Sequence, residues 1–143
     1  MRRFDFRLEA FLRIKAYKEK KMELELAKAL GNHVQLTGLQ RDLQMEIKEY
    51  SCCTVEGLLL DVFTLQTREE YRKRLEKELS QVEKRLHQSE IEKNKAQEQY
   101  AEAAKERKIL EKLKERKARE YYTLQRKEED KLLDEVANRF RGD

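Results

Sequence analysis

Residues 22–50 read MELELAKALGNHVQLTGLQRDLQMEIKEY. Within this stretch Met22, Leu26, Ala29, His33, Leu36, Gln40, Leu43, Ile47 and Tyr50 recur at alternating four- and three-residue steps, a heptad seam about four repeats long. An α-helix turns every 3.6 residues, so such a row stays on one narrow face only if the helix supercoils against a partner. The same chain offers that partner. A second row, Tyr71, Leu75, Leu79, Val82 and Leu86, follows, and no proline occurs among the 143 residues to break either helix.

Composition argues for the same architecture. Charged residues make up 43% of the chain and hydrophobic ones 38%, tryptophan is absent, and mean hydropathy is −1.02. These proportions leave too little apolar material for a large globular core. A disordered chain could share them, but it would lack the periodic stripe and the dominance of the helix formers Leu, Glu, Lys, Arg, Gln and Ala. No run approaches the roughly 18 apolar residues of a membrane-spanning helix. The segment Phe4-Asp5-Phe6-Arg7-Leu8-Glu9 behind Arg2 and Arg3 is too charged for an export signal. A cytosolic protein is therefore expected. Cys52 and Cys53 are adjacent, which suits neither an ordinary structural disulfide nor the spaced pairs of a zinc site. Reduced, non-catalytic thiols are the reading, with no metal and no cofactor.

The expected fold is all-α, a single coiled-coil domain over residues 1–143: two long helices in an antiparallel coiled-coil hairpin, the second longer, with a short helical segment at the turn. Helix one is expected over about 4–50, the turn and short helix over 51–66, and helix two over about 67–140. The turn is placed where the seam stops and the sequence becomes Ser51-Cys52-Cys53-Thr54-Val55-Glu56-Gly57. There Thr54 can cap the following helix and Glu56 can oppose its positive end. The patch Leu58, Leu59, Leu60, Val62, Phe63 and Leu65 is too apolar for a solvated single helix, so it should fold over the tip or offer a binding surface. Gly31 and Gly38, seven residues apart, share a helix face; the spacing allows a close neighbour, and the favoured reading is a gentle bend or weak point. Beyond Leu86 the stripe thins to Ala96, Tyr100 and Ala103, where alanine permits close approach or weak packing.

Charge is unevenly spread. Residues 2–21 hold eight Arg or Lys against three acids, and residues 105–119 hold the same eight against three, within an overall net of +4. If the chain folds back near residue 54, these segments meet in one cationic base opposite the turn. Interspersed acids and the lack of a recognised nucleic-acid motif favour an acidic protein surface over nucleic acid as its partner. A basic nucleic-acid-binding rod stays an alternative that steep loss of binding with salt would reveal. Catalysis has little support. His33 sits in the seam, where a polar residue sets register, His87 follows Leu86, and no phosphate loop or triad spacing occurs. The closing Arg141-Gly142-Asp143 is read as chance.

The opening Phe4-Asp5-Phe6-Arg7-Leu8-Glu9 with Leu12 and Arg13 resembles the start of the bacterial flagellar export protein FliJ family. At the other end the run Glu106-Arg107-Lys108-Ile109-Leu110-Glu111-Lys112-Leu113-Lys114-Glu115-Arg116, followed by Tyr121 and Lys131-Leu132-Leu133-Asp134-Glu135-Val136-Ala137, is in the same family style. The resemblance implies a non-enzymatic, stalk-like coiled coil of the flagellar type III export apparatus. It further implies three partners: the hexameric ring of the export ATPase, whose assembly and activity such a protein promotes, the cytoplasmic domain of the export gate, and the flagellar export chaperones. The implied location is the cytoplasm, peripherally associated with the inner membrane at the flagellar base and without insertion into it. By the same resemblance the gate contacts near the tip are Leu43, Tyr50, Tyr71 and Leu75. All four also fit the seam, so packing and partner contact stand as equal readings. Glu46 departs from the family pattern by standing at an aromatic position. From charge, the ring contacts are inferred at the basic end, at Arg7, Arg13, Arg107, Lys112, Lys114, Arg116 and Lys117. A generic coiled-coil adaptor or tethering protein is the other alternative.

Overall fold

A computed structural model describes residues 3–52 and 61–142, and these form two helices, α1 over Glu9–Cys52 and α2 over Val62–Arg141, of 44 and 80 residues. The expected all-α hairpin with a longer second helix is what the chain adopts. In α1 the buried or half-buried positions include Leu12, Lys15, Glu19, Met22, Leu26, Ala29, His33, Leu36, Gln40, Leu43 and Ile47, the heptad steps read from the sequence, while Tyr50 is exposed. In α2 the same rhythm runs from Arg68 and Arg72 through Leu75, Leu79, Val82, Leu86, Ser89, Lys93, Ala96, Tyr100, Ala103, Arg107, Leu110 and Lys114. Ala103, at 1% exposure, is a close-approach position.

Two boundaries differ from expectation. Helix one was expected to start between Phe4 and Phe6, but α1 starts at Glu9, whose amide donates to the Phe6 carbonyl at 2.9 Å. The reason lies in the aromatic side chains. Phe6 is buried and Phe4 stacks on Phe6 and on Tyr121, so these residues serve tertiary packing while Glu9 takes the first turn, where its charge opposes the helix dipole. Residues 62–66, expected in a separate short helix, are the opening turns of α2. The remainder of the expected turn segment, Cys53 to Leu60 with Thr54, Glu56 and Gly57, lies outside the described residues.

The contacts group the chain into two compact units, each built from both helices. Unit 1 comprises Met1–Lys21 and Ala101–Asp143; unit 2 comprises Met22–Tyr100. In unit 2 the core is Leu43, Leu75 and Val82 with Ile47 and Leu79 packed against them, and Tyr71 reaches back to Glu46. In unit 1 Lys114 meets Glu9, and Glu106 and Arg107 meet Lys15 and Glu19. In both units higher numbers on one helix meet lower numbers on the other, so the helices run antiparallel. From Gln125 to Arg141 the residues of α2 are exposed apart from half-buried Gln125, with Arg139 and Arg141 complementing the dipole of the last turn.

A two-helix seam has few neighbours to collapse into a cavity. Leu75→Ala, at a position 4% exposed, should cost about 2–4 kcal/mol of unfolding free energy, whereas Leu132→Ala, at 61% exposure, should change it by less than about 0.5 kcal/mol. Urea denaturation of both variants checks the contrast.

Candidate functional site

Two side-chain clusters stand out, one in each unit. In unit 2, next to the connection between the helices, Tyr50 and Tyr71 face each other with ring centroids 4.8 Å apart. The Tyr71 hydroxyl donates to Glu46 Oε1 at 2.6 Å, and the Arg68 guanidinium lies 5.9 Å from the centre of the Tyr50 ring. Helical spacing makes the cluster: Glu46 is one turn before Tyr50 on α1, and Arg68 one turn before Tyr71 on α2. The hydrogen bond to Glu46 pushes the Tyr71 phenol up to about 12, because ionisation would lose that bond and set a phenolate beside a carboxylate. The four residues singled out from the sequence therefore divide. Leu43 and Leu75 are seam core, 7% and 4% exposed, while Tyr50 and Tyr71 remain accessible at 39% and 36%. Val62 and Phe63, at the start of α2, are more exposed still.

In unit 1 the cluster is cationic but internally braced. Arg107 binds the Glu19 carboxylate across the helices and Glu111 along α2 at 2.5 Å, and Glu19 holds the guanidinium above its ordinary range. Lys15 donates to Glu106 at 2.8 Å, with Lys18 at 3.5 Å, and the Lys15 bond depresses the Glu106 carboxyl. Lys114 meets Glu9 at 2.6 Å. Arg116 and Lys117 both pair with Glu120 at 3.2 and 2.9 Å, lowering its pKa, with Lys117 the larger influence. Among the described residues, Arg7, Arg13 and Lys112 are exposed and take part in none of these pairs. The seven cations read from the sequence thus separate into interhelical braces (Arg107, Lys114), locally paired side chains (Arg116, Lys117) and open charges (Arg7, Arg13, Lys112).

Sequence reasoning missed three features: the Glu46 and Arg68 partners of the tyrosines, the ion pairs at seam positions Lys15 and Glu19, and the aromatic contacts of Phe4. Phe4 lies 5.6 Å from Tyr121, which meets Tyr122 edge-on at 5.5 Å. A groove of about 570 Å³ beside them is lined by Phe4, Phe6, Leu8 and Leu113, with Arg7, Lys117 and Asp5 also at its wall. For one of these pairs the signal was available, since Glu19 and Arg107 both fall on heptad positions of the two rows. No grouping of three or more His, Cys, Asp or Glu suited to a metal occurs among the described residues, and no helix among them is long and apolar enough to cross a membrane.

The family model of the flagellar FliJ protein matches residues 4–141. The chain belongs to the FliJ family. No curated protein matches significantly, and no solved structure does. As a FliJ family member it is a flagellar export-related component, and the match begins at the Phe4 that packs on Tyr121.

The Tyr71 bond is open to a direct titration. Its proton is held more tightly in the folded than in the unfolded chain, so its contribution to stability is complete below pH 10 and is lost as pH rises toward about 12. Phenolate absorbance, compared with Tyr71→Phe, should show this one tyrosine ionising near 12, and Glu46→Gln should return it toward the ordinary tyrosine value of about 10.

Proposed function

We propose that the chain is a stalk-like, non-enzymatic subunit of the flagellar type III export apparatus. In this reading unit 1 engages the ring of the export ATPase and promotes its assembly and activity, and the tyrosine cluster of unit 2 meets the cytoplasmic domain of the export gate. Flagellar export chaperones are the third partner. The protein works in the cytoplasm, held peripherally at the inner membrane at the flagellar base by these contacts. The observation that carries the reading is the family match over residues 4–141.

The chemistry of the two clusters supports the division of labour. Arg7, Arg13 and Lys112 are exposed and outside the ion pairs among the described residues, so they can meet acidic groups on a ring without first breaking one of those pairs. Arg107 and Lys114 are better spent as braces, because they hold α1 to α2. Tyr50 and Tyr71 offer half-exposed ring surface with a polar tip, the amphipathic character favoured at protein interfaces. Leu43 and Leu75 belong to the apolar core of the same unit. Two helices with this little interior leave function to surfaces.

The test is steady-state ATP hydrolysis by the cognate flagellar export ATPase, with and without the chain, alongside sizing of the ATPase ring. Stimulation with ring formation is expected. The combined Arg7→Glu, Arg13→Glu and Lys112→Glu variant should raise the concentration needed for half-maximal stimulation by on the order of tenfold or more, while Tyr50→Ala with Tyr71→Ala should leave it unchanged and reduce binding to the gate domain. Stimulation that ignores the charge reversals would remove the open cations from the mechanism.

A further inference from the structure

Between the apolar core of unit 2 and its more distant residues lies a zone in which several features weaken the helix pair. Gly31 and Gly38 are both within α1, and a Cβ added at either would meet no atom within 4 Å. Neither glycine is there to admit a close neighbour, so each acts only by loosening the helix. Between them the Thr37 hydroxyl donates to the His33 carbonyl at 2.8 Å. Such back-bonding competes with the helix's own amide for that carbonyl and favours bending.

The seam in the same zone is largely polar, with half-buried Leu36 and Leu86 as its apolar positions. His33 and Gln40 take heptad positions on α1, and Ser89 and Lys93 take them on α2. Ser89 is 6% exposed and its hydroxyl has no hydrogen-bond partner among the described residues; His33 Nδ1 is likewise buried and without one. Beside them a groove of about 450 Å³ runs along Asn32, Gln35, Leu36, Arg85, Gln88 and Ser89. Leu43, Val82 and Leu75 then restore an apolar core. Unmade hydrogen bonds raise the free energy of the closed state, and opening to water would satisfy both groups.

We propose that residues 31–40 of α1 and 85–93 of α2 form a built-in opening point, a joint at which the two helices part locally while the Leu43, Leu75 and Val82 cluster stays closed. Closing leaves His33 Nδ1 and Ser89 Oγ unpartnered among the described residues and draws its apolar contact there from half-buried Leu36 and Leu86, and the glycines lower the cost of bending α1. The joint needs no ligand and does not depend on the export reading.

Hydrogen exchange on the full chain, read by mass spectrometry, tests it. Amides of residues 31–40 and 85–93 should exchange at least about tenfold faster than those of 43–47 and 75–82. Gly31→Ala with Gly38→Ala should slow exchange across 31–40 by about tenfold or more, and Ser89→Ala, which removes the orphan hydroxyl, should slow both segments. Neither change adds a contact that would obstruct folding. Equal protection of the two zones in the unaltered chain would overturn the proposal, as would variants that leave the exchange of 31–40 and 85–93 unchanged.

Discussion

Everything in this chain depends on one constraint, that the two helices, with no third layer among the described residues, must bury their apolar stripe against each other. Leu43, Leu75 and Val82, backed by Ile47 and Leu79, are the place where that constraint is met most fully among the described residues. Elsewhere the seam is mixed: leucines such as Leu12, Leu26, Leu36, Leu86 and Leu110 alternate with alanines, a histidine, a serine and ion pairs. Exposed helix surface pairs contribute only tenths of a kcal/mol each, so the apolar layers hold the helices and the charges chiefly select how they align.

In unit 1 that selection is visible. Glu9, Lys15 and Glu19 on α1 meet Lys114, Glu106 and Arg107 on α2, and shifting either helix by one heptad would break all three pairs. Charge therefore has two roles in this segment. Residues that face the opposite helix set register, while Arg7, Arg13 and Lys112 stay exposed outside those pairs. A net count of cations cannot separate these roles, because it treats a braced guanidinium and an open one as equal.

Much of the fold was legible in the sequence because heptad spacing is a direct projection of three-dimensional packing. From Met22 to Ile47 the alternating steps named the buried face of α1, and Leu75 to Leu86 named that of α2. The start of α1 lies later than expected because Phe4 and Phe6 look like helix-ready apolar residues, whereas the chain there is committed to packing Phe4 against Phe6 and Tyr121. The candidate site was half legible. Tyr50 and Tyr71 could be picked out, yet Glu46 was read as a departure from the family pattern and proves to be the acceptor for Tyr71. A pair 25 residues apart has no local sequence signature until the register of the two helices is known.

The central claim is the antiparallel alignment that sets Glu9 beside Lys114. It is tested most directly by replacing Cys52 and Cys53 with serine, introducing Glu9→Cys and Lys114→Cys, and treating the purified chain with a short bismaleimide. Rapid crosslinking within single chains is expected, and little when the second cysteine is placed at Leu133 instead, on the exposed end of α2. Crosslinks that form only between chains, or equally well from both positions, would contradict it.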